Sequence, residues 1–446
     1  MDRIASALTR WCSRWVPDGY VIAGVLTIFV YAITLIATPS GPLTVIKHWG
    51  DGFWGFIPFT LQMAMVVLTG YVVADAPPVR RGLEWLAARP STPRGAVALT
   101  AFVAMSLALL NWGVSLVGSA LLAKKIAQRP IKADFRLLVA SAYLGLGCMW
   151  HAGLSASAPL ASSDPTQGFV KSYLGGPVPI TETVFSRFNL LLALVVLIVM
   201  PLVAAAMHPP AGKEVLRGAP PEDEDDEQVY FAGPTTPAEW LERTPWVNLF
   251  LGAAVFAYLA IYLAAEGVAR ININHVNLCF FGLGALLHHT PVSLLRSAER
   301  GGRYVWGVLL QFGLYAGVAG VLDKSGLATQ IAGLFTQVAS PRSFPLLVVW
   351  YSGILNYLVP SGGAKWFIEV QYLADAARTI GVPIGKTIVA YAWGDMLTDI
   401  IQPFWAIPLL AVARLGFRDI MGYCLIFFLI YAGVVSAAFL AYGFAS

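Results

Sequence analysis

Apolar residues in this 446-residue chain come in long blocks, not in the short alternations of a soluble domain. Blocks of about 20 residues cross a hydrocarbon layer of about 30 Å. They fall near 20–38, 52–74, 133–150, 186–207, 246–265, 304–322, 384–402 and 419–442, with a shorter block near 274–289. Residues 95–129 and 343–380 do not read as single spans, being broken centrally by Asn111-Trp112-Gly113 and by Asn356 through Gly363. They predict re-entrant helical hairpins, because non-helical backbone at membrane depth survives only where protein or a wet cavity satisfies its N–H and C=O groups. The hairpin tips are therefore expected to face a substrate pathway. Segments 76–90 and 325–338 predict amphipathic helices at the membrane surface, the first carrying Arg80, Arg81 and Trp85.

The pattern occurs twice. Displacing the first half by 245 to 249 positions sets Gln62 on Gln311, Pro93-Arg94 on Pro341-Arg342, Asn111 on Asn356, Gly145 on Gly394 and Pro159 on Pro408. Duplicated halves interrupted by Gly, Pro and small polar residues predict a secondary transporter with its site between the repeats. Counting Lys and Arg gives each half a direction. With the N-terminus in the cytoplasm and each hairpin entering and leaving on one side, most of the 29 basic residues are cytoplasmic. The Gln62 span then runs inward and the Gln311 span outward, so the repeats are inverted, with hairpin one opening from the cytoplasm and hairpin two from outside.

The expected fold class is an all-α polytopic membrane protein of two inverted repeats, each with a re-entrant hairpin and a broken transmembrane helix. Residues 1–207 form the first repeat, 208–245 a cytoplasmic linker, and 246–446 the second repeat. The linker carries the tract Glu222-Asp223-Glu224-Asp225-Asp226-Glu227 after two Pro-Pro pairs. Like charges repel and nothing apolar is there to bury, so it reads as disordered. A regulatory role is the alternative.

Composition agrees with a membrane protein: 57% hydrophobic and 12% charged residues, with mean hydropathy +0.68, against roughly 45–50% and about 25% in soluble domains. Met1 to Pro17 carries Arg3, Arg10 and Arg14 with no small-residue cleavage site after it, so the first span is expected to stay in place. Cys12, Cys148, Cys279 and Cys424 lack CxxC pairing, which argues against a disulfide framework or a zinc site. The net charge of +4 does not imply nucleic acid, because the basic residues gather at the ends of membrane segments. The chain lacks GxxxxGK[ST], HExxH and GxSxG, which argues against nucleotide-driven transport and against an intramembrane enzyme. Two opposed hairpins suggest a moving barrier in place of a pore.

The candidate chemistry gathers at the breaks. In hairpin two, Pro360 ends the first arm, while Gly362 and Gly363 leave N–H groups unspent where the next helix presents its positive dipole end. That suits a carboxylate; the plain alternative is a Gly-Pro turn with no ligand. Substrate-binding candidates are Ser361, Gly362 and Gly363, completed by Asn111, Ser115, Ser155 and Ser157. Lys365, with Glu369 one turn on, either holds an anion or forms a self-neutralising i, i+4 pair. In the first broken span, Trp150 through Pro159 concentrates small and hydroxyl residues, as an unwound helix needs. In the second, Asp395, Asp399 and Gln402 share one helical face by i, i+4, i+7 spacing. They are candidates for cation or proton coupling, or else the wall of a wet vestibule. His151 titrates in a useful range and is a further coupling candidate, or an interfacial hydrogen-bonding residue. A Na⁺ site near Asn111, Gly113 and Asn356 is the expected ion site, and no organic cofactor is expected. His288 and His289 read as interfacial.

The chain resembles the bacterial short-chain fatty acid transporter family, of the acetoacetate and butyrate uptake type. The resemblance rests on Trp49-Gly50-Asp51-Gly52-Phe53-Trp54, Asn111-Trp112-Gly113, Ile273-Asn274 through Asn277-Leu278, Val359-Pro360-Ser361-Gly362-Gly363, Gln402-Pro403-Phe404-Trp405-Ala406 and Arg418-Asp419-Ile420-Met421-Gly422-Tyr423-Cys424. It covers nearly the whole length. The family is grouped with ion transporters that include the divalent anion/sodium symporters. The resemblance implies a homodimeric elevator carrier of the bacterial inner membrane that takes up a short monocarboxylate with a cation gradient, Na⁺ or H⁺. Lys365, Glu369, Asp395 and Asp399 add charge to the family pattern, so the scaffold transfers more firmly than the substrate. The alternative is a cation/proton antiporter of the same superfamily, in which Asp395 and Asp399 bind the ion and no organic substrate enters.

Overall fold

A computed structural model describes residues 19–210, 215–216, 236–358, 361–406, 409–410 and 413–444, and all regular structure among them is helical. Arg3, Arg10 and Arg14, the acidic tract at 222–227, and Val359, Pro360 and Pro408 lie outside the described residues. The chain opens with α1 (Gly19–Ala37), α2 (Pro42–Gly52), α3 (Ile57–Asp75) and α4 (Pro77–Ala87). Hairpin one is α5 (Pro93–Leu110) and α6 (Trp112–Ala127), followed by α7 (Phe135–Cys148), the short α8 (Ser157–Ser162) and α9 (Arg187–Met207). After α10 (Pro237–Arg243) come α11 (Trp246–Glu266), α12 (Ile273–His288), α13 (Pro291–Gly302), α14 (Trp306–Ser325) and α15 (Leu327–Val338). Hairpin two is α16 (Phe344–Leu358) and α17 (Gly362–Ile380), and α18 (Ile384–Asp399) and α19 (Phe417–Phe444) close the fold.

Seven helices among the described residues are long and apolar enough to cross a membrane. Their breaks follow the sequence. Proline stands in the first turn of α2, α3, α4, α5, α10 and α13, where its fixed φ suits the helix and its missing N–H costs nothing. Two corrections follow from these prolines. The span expected at 52–74 is α3, which begins later, at Ile57, because α2 runs to Gly52 and a turn follows it. Helix α13 also forms where a connection was expected, and it starts 249 positions after α2.

α7, α17 and α18 are buried on almost every side, and the last two carry Lys365, Glu369, Asp395 and Asp399 into the interior. α9, α11 and α19 instead leave residues such as Leu191, Phe250, Ile261 and Leu429 exposed, which lipid would cover. Contacts recur at matching positions. α2 packs on α14, and α13 packs on α3; likewise α5 packs on α7, and α16 on α18. Glycine permits the last two approaches: a Cβ on Gly145 would lie 2.5 Å from the Ala104 carbonyl oxygen, and one on Gly394 the same distance from that of Val349.

Candidate functional site

The two hairpin tips meet the two helix breaks. In hairpin one a single residue, Asn111, separates the arms, and its side chain caps the second arm by accepting from Gly113 N–H (2.8 Å) and Val114 N–H (3.1 Å). The helix after this hairpin stops at Cys148, and one 3₁₀ turn, Trp150–Ala152, leads into extended chain at Gly153. That freed backbone finds partners in the hairpin. Leu154 N–H donates to Leu109 O at 2.7 Å, and Trp112 N–H donates to Ser155 Oγ at 3.0 Å. In hairpin two, α17 starts at Gly362 behind Ser361, with no side-chain cap.

Behind the second tip lies a buried charged cluster. Lys365 Nζ donates to Glu369 Oε1 at 3.0 Å and to Ser352 O at 3.1 Å. It also lies 3.1 Å from Asp395 Oδ1, an ion-pair distance without hydrogen-bond alignment, and 4.3 Å from the centre of the Tyr391 ring. Ser352 Oγ donates to Glu369 Oε2 at 2.5 Å. His151 is 0% exposed. Ala158 N–H donates to its Nε2 at 3.1 Å, so Nε2 is the bare nitrogen and Nδ1 carries the proton. Nδ1–H then donates to Asp395 Oδ2 at 2.9 Å. Asp399 accepts from Trp150 Nε1–H at 2.9 Å and from the Asn356 amide at 2.7 Å. The pair at Lys365 is worth little as net stabilisation, since desolvation offsets the attraction. Losing one partner would leave an unpaired charge.

In front of the tips is a narrow cavity. Ser157, Ser361, Gly362 and Gly363 supply its polar edge, and Met63, Phe312, Trp112, Trp150 and Trp405 most of its apolar wall. The Ser157 hydroxyl is engaged with His151 Nε2 at 3.2 Å.

A family model described as Short chain fatty acid transporter matches residues 1–442. A protein of Escherichia coli (strain K12) bearing the provisional name short-chain fatty acid transporter is 38% identical over 436 residues, 98% of this chain and 98% of its own. The chain belongs to the short chain fatty acid transporter family. A protein of Haemophilus influenzae (strain ATCC 51907 / DSM 11121 / KW20 / Rd) with the same provisional name is 33% identical over 95% of this chain and 96% of its own. The YdaH transporter of Alcanivorax borkumensis has a similar fold, with TM-score 0.58 at 16% identity over 94% of this chain and 98% of that one. The chain is thus a multi-pass membrane transporter and not an enzyme.

Not every residue singled out from the sequence reaches the cavity of this transporter. Ser157, Ser361, Gly362 and Gly363 line it. Lys365 does not, because its ammonium is turned to Ser352, Glu369 and Asp395. Asn111 caps its own hairpin, Ser155 holds the Trp112 N–H, and Ser115 Oγ donates to Ala104 O at 2.7 Å. Asp395 and Asp399 are buried, which corrects the wet-vestibule alternative, and burial likewise corrects the interfacial alternative for His151. Gln402 is buried beyond the end of α18, not on its face, with its carbonyl accepting from Tyr143 Oη at 3.0 Å. Asn111 Oδ1 is committed to its own hairpin, the Asn356 amide donates to Asp399 and Thr398 of α18, and among the described residues no three His, Cys, Asp or Glu side chains converge as metal ligands. His288 is buried, hydrogen-bonded to Ser293 and to Val72 O at 2.9 and 2.8 Å. The aromatic wall went unnoticed in the sequence, although Asn111-Trp112-Gly113 and Trp405 both stand in family motifs.

Proposed function

We propose that this transporter takes short-chain monocarboxylates inward by cation-coupled symport. The observation that carries the reading is the uncapped start of α17 at Ser361, Gly362 and Gly363, opening on an aromatic-walled cavity. A helix start offers N–H groups and the positive dipole end to a carboxylate. Indole and phenyl walls suit a short hydrocarbon tail. The names of the Escherichia coli and Haemophilus influenzae relatives point to the same substrates.

Asp395 with His151, and Asp399 with Asn356, are the groups that would carry the coupling ion, H⁺ or Na⁺, with Gln402 behind them. Lys365 positions Asp395 instead of touching substrate. A Na⁺ near Asn111, Gly113 and Asn356 belongs to the same reading, supported by Asn356 Oδ1, which is buried without a partner. Two inverted repeats, 1–207 and 246–446, joined by 208–245, would give alternating access by an elevator movement. The recurring packing of α2 on α14 and α13 on α3 supports this. A homodimer in the bacterial inner membrane, N-terminus in the cytoplasm, completes the reading.

Counterflow of labelled butyrate into proteoliposomes tests the substrate, and uptake under imposed Na⁺ or pH gradients tests the coupling. Butyrate exchange is the expected result. Cation flux without carboxylate exchange would favour the antiporter, for which the buried Asp395 and Asp399 would be the ion site.

A further inference from the structure

The apolar wall of the cavity carries the repeat as well. The displacement of 249 positions that sets Gln62 on Gln311 also sets Phe59 on Val308 and Met63 on Phe312. Met63, Val308 and Phe312 line the narrow cavity together with Gly362 and Gly363. Phe59 stands against Gly363, where an added Cβ would lie 2.2 Å from its Cζ. Helices α3 and α14 thus bring matching positions to one small space, but with unequal side chains. The two rings meet, Phe59 and Phe312 stacking at 5.7 Å between centroids and 11° between planes. Phe59 has no room to yield: it is 0% exposed and packs on Phe367 at 4.6 Å, which Phe56 and Phe169 flank at 4.4 and 4.5 Å. Phe312 is therefore braced by a fixed aromatic stack, whereas Met63 is unbranched and adapts to what touches it.

We infer that Phe312 is the specificity-determining residue that limits the length of the substrate's hydrocarbon tail. The inference rests on the carboxylate reading above and assigns the length limit of that site to one side chain. A carboxylate held at Ser361 to Gly363 starts its tail beside Phe59, and the chain then meets Phe312, the next ring of the stack. A tail that ends short of this ring is covered by apolar side chains. A longer one must displace a ring that is braced from behind, and overpacking of that kind is unfavourable. One methylene more or less in an apolar pocket changes discrimination by about 10- to 200-fold. Replacing the ring by a methyl group opens room for further carbons and leaves the polar end untouched, so selectivity moves toward longer acids while the carboxylate contacts remain.

The test is the ratio of the dissociation constants of butanoate and hexanoate, measured by calorimetry on the purified transporter at one pH and one Na⁺ concentration. The wild type is expected to favour butanoate by about tenfold or more. In Phe312→Ala the ratio should shift toward hexanoate by at least about tenfold, whatever happens to either affinity alone; a residue that only supports the fold would weaken both acids alike. Met63→Ala should move the ratio less, because that side chain already gives way. If Phe312→Ala does not yield folded protein, Phe312→Leu carries the same test with a smaller shift in the same direction. Equal affinities in the wild type, an unchanged ratio in the Phe312 variant, or a larger shift in Met63→Ala overturn the inference while the carboxylate reading stands. Binding of neither acid to the wild type overturns both.

Discussion

The two hairpin tips occupy matching places in the chain and are finished differently. At the first, the Asn111 side chain closes the start of α6 on itself. At the second, Ser361 leaves the start of α17 uncapped, and Lys365, Glu369 and Asp395 stand behind it. The packing beneath is alike, with Gly145 against the Ala104 carbonyl and Gly394 against that of Val349. Backbone approach and polar chemistry have thus been kept apart: the first is shared by the halves, and the second belongs to one of them. The open tip is the one to which the proposed reading assigns the substrate carboxylate.

The largest expected effect comes from the charged tip. Lys365→Ala leaves Glu369 and Asp395 buried without their cation, and losing one partner of a buried pair costs about 3–5 kcal/mol. Thermal unfolding of the purified protein should fall sharply, and Glu369→Gln added to Lys365→Ala should recover part of the loss. Wild-type unfolding in Lys365→Ala would mean that the cluster does not hold the second tip. Next come the shared contacts. Gly145→Ala and Gly394→Ala each force a methyl toward a carbonyl, and overpacking of this kind costs about 1–3 kcal/mol. Similar losses in both variants support the equivalence of the halves, and a loss in only one breaks it.

A smaller effect separates the caps. Asn111→Ala removes a helix cap, for about 1 kcal/mol of stability. Ser361→Ala should leave stability nearly unchanged, because no capping bond exists to lose, while lowering carboxylate uptake. Equal destabilisation by both substitutions would erase the distinction between a sealed and an open tip.

Most of the architecture was legible, because spans and breaks are written in hydropathy and in Pro and Gly. α2 and α13 were not, since each is short and carries charge, and a hydropathy window averages them away. The displacement of 249 positions between their starts was the available signal. The Lys365 to Glu369 pair could be read from i, i+4 spacing, but the approach of Asp395 could not, because it depends on how α18 packs against α17. Trp112, Trp150 and Trp405 come from three distant segments, and nothing local distinguishes such aromatics from core.

The same displacement relates two ion pairs of opposite polarity, and they give the finest test of the comparison. Asp75 meets Arg300 at 2.5 Å, and Asp51, which matches Arg300, meets Lys324, which matches Asp75, at 3.0 Å. Asp75 is buried with Arg80 and Ser297 as further partners, whereas Asp51 and Lys324 are both exposed. The hydrogen bond from Lys324, helped by the charges of Lys324, Lys47 and His48, holds the Asp51 carboxyl below its ordinary range. A carboxyl with a lowered folded value stabilises the fold above its unfolded value, about 3.9, and loses that contribution as pH falls through the folded value. Asp51→Asn should therefore lower the unfolding midpoint slightly at pH 7 and at low salt. The difference from wild type should vanish with high salt and with acidification. A difference that persists in acid would mean that Asp51 acts through packing at the junction of α2 and α14 and not through its charge, and the two ion pairs would no longer be counterparts.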